Sequence, residues 1–409
     1  MCKSKKGTDV VASQQSSKRS SDGYRSSQGS FFDPSASNNV TTANYTTTDS
    51  RVKDSWQSSI SSRTSLPSLR ESLPENVQVY NFSEICSATN NFLAKKFSSS
   101  SSSASWRCVI RCNEVMVFQR KLRRPIHADE LHEWLSLIYK SHHTSLIQLR
   151  GASFSGIYVY LVYDYVHGAN LTDCLRNPRN PNFCVLSNWI SRMQIATDLA
   201  HGLDYIHHCT GLSSSFVHNR IKSSSIIVTE PSLNAKICHF GTAMLCGEIA
   251  NGDGAEELNS GVLLFEGTRG YMSPEFQSTG VPTQKSDIFS LGVVILELLS
   301  GEEPLKYILD SGGGGYRRVS VIETAREAAR GSGGRLRSWI DRRLKDSFPV
   351  EVAEKMVRLA LDCVEEYPGE RPDMERVAGR ISKLYLESKF WAEKLCVPVT
   401  DFSVSLAPR

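Results

Sequence analysis

The sequence has no long hydrophobic run. Its most apolar stretch, Leu291-Gly292-Val293-Val294-Ile295-Leu296-Glu297-Leu298-Leu299, is too short to span a bilayer and carries a glutamate, so it reads as a buried helix. Paired cysteines are also missing. The 11 cysteines form an odd set scattered from Cys2 to Cys396, with no CxxC pair and no disulfide-type spacing, and Cys108 and Cys112 lie inside a strand pattern. No secretory signal pattern opens the chain, which together with this cysteine usage points to a reducing, intracellular compartment. A large charge of one sign is absent too: the formal net charge is +4, too mild for a nucleic-acid surface without a concentrated patch. The run Arg120-Lys121-Leu122-Arg123-Arg124 follows a strand pattern and reads as a solvated strand end, so no nucleic-acid partner is expected.

What is present is a globular composition, 40% hydrophobic and 22% charged over 409 residues, behind a very polar start. Residues 1–75 are rich in Ser, Thr, Asn and charged types, and they cannot offset their ordering entropy by burial, so a disordered tail is expected. At its start, Cys2 stands beside Lys3, Lys5 and Lys6. An acylated cysteine with cations facing anionic headgroups would give peripheral membrane association, whereas the plain reading is an ordinary terminus. Gly is absent from position 2, so the myristoylation pattern fails.

Order begins near Val77. Phe82 to Phe92 reads as a serine-capped helix start with a glutamate close behind. Trp106 to Ile110 and Val115 to Gln119 read as strands joined at Cys112-Asn113, and Asp129 to Tyr139 has helical spacing. After a strand over Ile157 to Val166 the pattern turns helical: Leu186 to His207, Ser286 to Leu299, Ala353 to Val364 and Met374 to Lys383. Strands first and helices second predict an α+β chain of two lobes.

Ordered motifs then carry a resemblance. Gly267-Thr268-Arg269-Gly270-Tyr271-Met272-Ser273-Pro274-Glu275 resembles the end of a protein-kinase activation segment, Ser286 to Val294 resembles the family's central helix, and Arg371-Pro372 falls at its late arginine. Ala88-Thr89-Asn90-Asn91-Phe92 and Leu161 to Val166 are similar to the pre-kinase stretch and hinge strand of plant receptor-like kinases. The resemblance runs from about Val77 to Lys394. It implies a bilobal fold with a small, mainly β N-lobe and hinge over 76–166, a larger, mainly α C-lobe over 167–395, and a C-terminal tail over 396–409. It also implies a buried Glu275–Arg371 ion pair, an Asp287 that braces the catalytic loop, and His218 and Phe240 in an apolar column between the lobes.

The positions that carry chemistry in that family are changed here. The phosphate loop needs glycine so that the backbone can approach phosphate, but the matching run Ser98-Ser99-Ser100-Ser101-Ser102-Ser103-Ala104-Ser105 has none. Phe118 stands at the phosphate-binding lysine, with Arg120 and Lys121 nearby as substitutes, and Trp134 stands at its partner glutamate, next to Glu133. Arg220 replaces the aspartate base; arginine stays protonated and has no acceptor. Ser225 replaces a magnesium-binding asparagine and His239 the metal-binding aspartate, whereas Lys222 is retained. Magnesium wants hard oxygen ligands, so it is not expected, and Cys238-His239 lacks the further ligands of a zinc site.

The resemblance therefore implies a pseudokinase of the plant receptor-like type. It would serve as a signalling scaffold or allosteric partner of an active kinase or receptor complex at the inner face of the plasma membrane, with absent or very weak phosphotransfer. No catalytic residue is expected to function, and no metal or obligatory cofactor is expected. ATP binding stays open through a nucleotide cleft at Tyr163, Asp164, Tyr165 and Val166. The alternatives are an atypical Ser/Thr kinase, in which Lys121 and Lys222 hold the phosphates, and an ATP-binding sensor without turnover.

Overall fold

Alternation along one strand organises the first lobe. The computed structural model describes residues 11–13, 78–99, 103–123, 128–212, 216–248, 263–265, 267–309, 315–331 and 333–395. Six strands form the N-lobe sheet in the order β2-β6-β7-β5-β4-β3: β2 Gln78–Val79, β3 Ser98–Ser99, β4 Ser103–Ile110, β5 Asn113–Lys121, β6 Leu149–Ser155 and β7 Tyr158–Asp164. Only the β2–β6 pair is parallel. On β5, Val115 and Val117 pack on one face with Tyr160 and Val162 of β7, Tyr80 and Ile85. Met116, Phe118 and Arg120 therefore point to the other face and line a cleft. β4 and β5 are joined through Arg111 and Cys112, at φ 49° and 65°, one residue earlier than the turn read from the sequence. Two positive φ values in succession give a type I′ turn, whose twist matches the strands it joins.

Helix α1, Phe82–Ala88, is capped at Asn81 rather than at a serine, and the Glu84 carboxylate accepts the Asn81 N–H at 3.0 Å. Helix α2, Ala128–Lys140, packs against β6 and buries Trp134, Leu135 and Ile138, leaving Glu133 exposed.

The second lobe is helical: α3 Leu171–Arg176, α4 Asn182–Val185, α5 Trp189–His208, α6 Thr242–Leu245, α7 Pro274–Thr279, α8 Gln284–Ser300, α9 Val321–Arg330, α10 Gly333–Trp339, α11 Val350–Cys363 and α12 Met374–Lys394. A small antiparallel sheet, β8 Gly168–Asn170, β9 Ile226–Thr229 and β10 Ala235–Ile237, lies at its cleft side. Nearly every residue of α8 is buried, as an all-round apolar helix must be. Its Gly292 admits α11 closely: a Cβ there would lie 2.8 Å from the Cys363 Cβ.

Several features lie outside the elements read from the sequence, among them the short helices α3, α4, α6 and α7, helices α9 and α10 and the sheet β8–β10. Strands β12 Leu305–Leu309 and β13 Tyr316–Ser320 form an isolated hairpin, whose joining segment includes the glycine run read as a flexible loop. Val11–Ser13 (β1), within the serine-rich tail, pairs with Leu263–Phe265 (β11). Helix α12 runs on to Lys394. The rest of the tail, Cys2 and the neighbouring lysines, Ser100 to Ser102, Gly252 to Gly254 and residues 396–409 lie outside the described residues.

The Glu275–Arg371 pair forms as the resemblance implied. It is bidentate at 2.7 and 2.8 Å, and Arg371 also donates to the carbonyls of Glu365, Lys285 and Glu366. Burial alone would raise the Glu275 carboxyl, but hydrogen bonds from Arg371 and Ser273 outweigh it and hold the pKa below the ordinary value. Arg371 is 2% exposed, and removing it strands a carboxylate and three carbonyls. Arg371→Ala is expected to cost about 3–5 kcal/mol in urea unfolding; a loss below about 1 kcal/mol would show that α7 does not depend on this clamp.

Candidate active site

Between the lobes lies a cleft of about 990 Å³, walled by β5, by the hinge residues Tyr163 to Val166 and by the loop from Asn219 to Ser225. Its shape rests on Asp287 of α8, which is 1% exposed. One carboxylate oxygen accepts the His218 N–H at 2.7 Å and the other the Asn219 N–H at 2.8 Å, while His207 Nε2 lies 3.1 Å away. His218 in turn accepts the Arg220 N–H on Nδ1 at 3.2 Å, which leaves Nε2–H to donate to the Cys238 carbonyl at 3.0 Å. The imidazole is thus a satisfied neutral group, and burial lowers its pKa to about 4.

Several of the side chains set on this frame are aromatic or cationic. Phe118 meets the His239 ring edge-on at 4.6 Å and the Tyr163 ring at 5.9 Å, and Tyr163 and His239 are 6.3 Å apart. Three aromatic rings therefore fill the deep end of the cleft. His239 holds a positive φ of 68°, a conformation that costs a non-glycine residue about 1 kcal/mol. Its carbonyl accepts the Thr242 N–H at 3.0 Å and so starts α6. Burial, followed by the cations Arg120, Arg220 and Lys222, drives the His239 pKa well below its ordinary value. Its Nδ1 is buried without a hydrogen-bond partner among the described residues.

Tyr163 ties this end to the activation segment. Its hydroxyl donates to the Phe240 carbonyl at 2.8 Å and meets the Thr242 hydroxyl at 2.9 Å. Phe240 is buried in the core with Ile138 and stacks edge-on with Phe216 at 5.7 Å. Beyond α6, the Arg123 N–H donates to the Cys246 carbonyl at 2.9 Å. Arg220 closes the same segment from the other side by a buried ion pair with Glu248. Lys222 donates to the Thr268 hydroxyl at 3.0 Å, and Ser225 is buried, accepting the Cys238 N–H at 2.9 Å on its carbonyl.

Of the hinge residues, Asp164 pairs with Arg150 at 2.5 Å, and the Arg107 guanidinium lies over the Tyr165 ring at 3.8 Å. Val166 and its neighbours line the apolar edge of the cleft. The substitutes near Phe118 separate clearly. Lys121 is exposed on the opposite face of β5, so it cannot take the phosphate role considered for it; Arg120, 7% exposed, shares the cleft face with Phe118. The indole of Trp134, not the Glu133 carboxylate, turns into the core of α2. Sequence reasoning missed Glu248 and Arg107 outright. Arg120 had a usable signal, since it is two residues from Phe118 on a strand.

A β-rich lobe, a helical lobe, a hinge and a loop braced by a buried aspartate define the bilobal fold of phosphotransfer domains. The protein kinase domain model matches residues 110–380. The chain belongs to the protein kinase family. It is 31% identical over 329 residues to LysM domain receptor-like kinase 3 of Arabidopsis thaliana, covering 78% of this chain and 48% of that protein. It is 30% identical to the PTI1-like tyrosine-protein kinase 1 of Arabidopsis thaliana, covering 77% of this chain and 84% of that protein. The chain spans about half the length of several receptor-kinase relatives it matches. The solved pseudokinase domain of BIR2, an immune regulator of the RLK/Pelle family, shares the fold with a TM-score of 0.58 at 24% identity, over 76% of this chain and 88% of that one. Among the described residues no cluster of three His, Cys, Asp or Glu could hold a metal, and no helix is long and apolar enough to cross a membrane.

His218 and His239 set an acid limit on stability. The folded chain keeps His218 near pKa 4 and His239 well below the ordinary 6.5, so below pH 6.5 the unfolded chain binds protons that the folded one refuses. Stability should fall from pH 6.5 towards pH 4 by up to about 1.4 kcal/mol per pH unit for each histidine. Urea midpoints at pH 7, 6 and 5 measure this. His239→Asn, which tolerates the positive φ, should shallow the slope by about half; an unchanged slope would mean that His239 already titrates in the folded state.

Proposed function

We propose that this domain is a pseudokinase: it binds and positions other signalling proteins, with phosphotransfer absent or very weak. One observation carries the reading. The deep cleft is packed with the rings of Phe118, Tyr163 and His239, where a kinase needs a lysine and a metal-binding carboxylate. At the base position, Arg220 is engaged with Glu248 and offers no acceptor for a substrate proton. Ser225 and His239 present no carboxylate oxygen, so the donor set does not fit magnesium. The scaffold contacts of Asp287 and of Glu275 with Arg371 are complete all the same. A fold kept intact around a changed site suits an allosteric partner of an active kinase or receptor complex. The receptor-like relatives support a place beside such a complex at the inner face of the plasma membrane.

A second reading has an observation of its own. Arg120 and Lys222 line the cleft, and His239 Nδ1 is buried there without a hydrogen-bond partner among the described residues, so a nucleotide could be held by its base at the hinge and by cations at its phosphates without metal. This would be a sensor without turnover. Calorimetry on the full chain with ATP, with and without magnesium, separates the readings. The scaffold predicts no heat with ATP whether or not magnesium is present, together with no phosphate transfer to a protein substrate. Metal-independent binding weakened at least tenfold by Arg120→Ala would establish the sensor. Magnesium-dependent binding with transfer abolished by Lys222→Ala would defeat both.

A further inference from the structure

The hairpin β12–β13 is unlike the rest of the second lobe. Tyr307, Ile308, Leu309 and Tyr316 are 58%, 47%, 61% and 73% exposed, although all four are large and apolar. The register pairs Leu309 with Tyr316, Ile308 with Arg317 and Tyr307 with Arg318. Successive pairs face opposite sides of a two-stranded ribbon, so Tyr307, Leu309 and Tyr316 stand on one face and Ile308 on the other. A protein groove would reward apolar side chains on one face only. Apolar side chains exposed on both faces of the ribbon suit an apolar medium that can meet both.

The charge beside it has one sign. Residues 316–345 hold nine Lys and Arg against three Asp and Glu, an excess larger than the +4 of the whole chain. Arg317, Arg318, Arg330, Arg335 and Arg342 are exposed, with no carboxylate partner recorded among the described residues. They lie on β13, on α9 that continues it, on α10 packed against α9 and on the turn that follows. Lys306, by contrast, is neutralised by Glu302.

From these two observations we infer that the hairpin and the basic surface behind it dock on an anionic lipid bilayer. Ile308, Leu309 and Tyr316 enter the headgroup and acyl boundary, while Arg317 and Arg318 stay at the level of the phosphates. Leu305 and Tyr307 at the base of the hairpin also line the cleft, but Ile308, Leu309, Tyr316, Arg317 and Arg318 do not, and the inference does not rest on the pseudokinase reading.

The test uses the full chain made without acylation, sedimented with phosphatidylcholine vesicles with and without 30 mol% phosphatidylserine. Binding should require phosphatidylserine and weaken with salt. Each arginine near the surface is worth about fivefold in partitioning, so Arg317→Ser with Arg318→Ser should cost about 25-fold. Ile308→Ser with Leu309→Ser should cost tenfold or more, and neither pair should move the melting temperature. In a Tyr316→Trp chain, brominated lipid should quench the new indole. The inference is overturned if the phosphatidylserine vesicles do not sediment the chain, if both double variants bind like the parent, or if the chain binds without quenching. Capture of polyglutamate or duplex DNA through the same arginines, with vesicles ignored, would assign the surface to a macromolecular partner instead.

Discussion

The cleft hangs on one buried carboxylate. Asp287 takes the N–H groups of His218 and Asn219 on its two oxygens and lies against His207, at the start of a helix that is itself buried over nearly all its length. That contact fixes the backbone leading into residue 220, and with it the direction of whatever side chain stands there. Isolating a charge of this kind from water is costly unless its lone pairs are filled, and here the loop backbone fills them. The loop is therefore positioned independently of the chemistry it carries. This is why Arg220 can occupy the base position without any visible disturbance of the frame beneath it.

The side chains above the frame hold each other. The aromatic contacts of Phe118 with Tyr163 and His239 join β5 to the hinge strand and to the start of the activation segment. The Tyr163 hydroxyl bonds the Phe240 carbonyl, and Arg220 grips Glu248 three residues beyond α6. Each of these links crosses a boundary that must open and close in a phosphotransfer cycle. Together they favour one arrangement of the lobes.

Long periodic elements were legible because their signals are local and repeated. The apolar run of α8 and the strand alternation around Val115 and Val117 could be read directly, and so could the Glu275 and Arg371 positions, through the resemblance. Lys121 against Arg120 turned on parity: one step along a strand moves a side chain to the opposite face, and sequence proximity alone does not reveal which face holds the cleft. Glu248 could not be found, because its meeting with Arg220 depends on how the chain folds back after α6, and nothing in the spacing encodes that return. The hairpin at Leu305 was hidden for a related reason. Its strands are exposed and apolar on both sides, so they lack the alternation that marks a half-buried strand.

The crowd of cations around His239 also bears on how the cleft could change over generations. An aspartate at position 239 would arrive between Arg120, Arg220 and Lys222 and serve them as an internal counter-ion, leaving little charge for a metal. A lysine at position 118 would lie on the same strand face as Arg120 and be repelled by it. Single exchanges at either position are therefore masked by their neighbours, and only concerted exchange at several positions would change what the pocket can hold. The electrostatics of the pocket tie its residues together as one set.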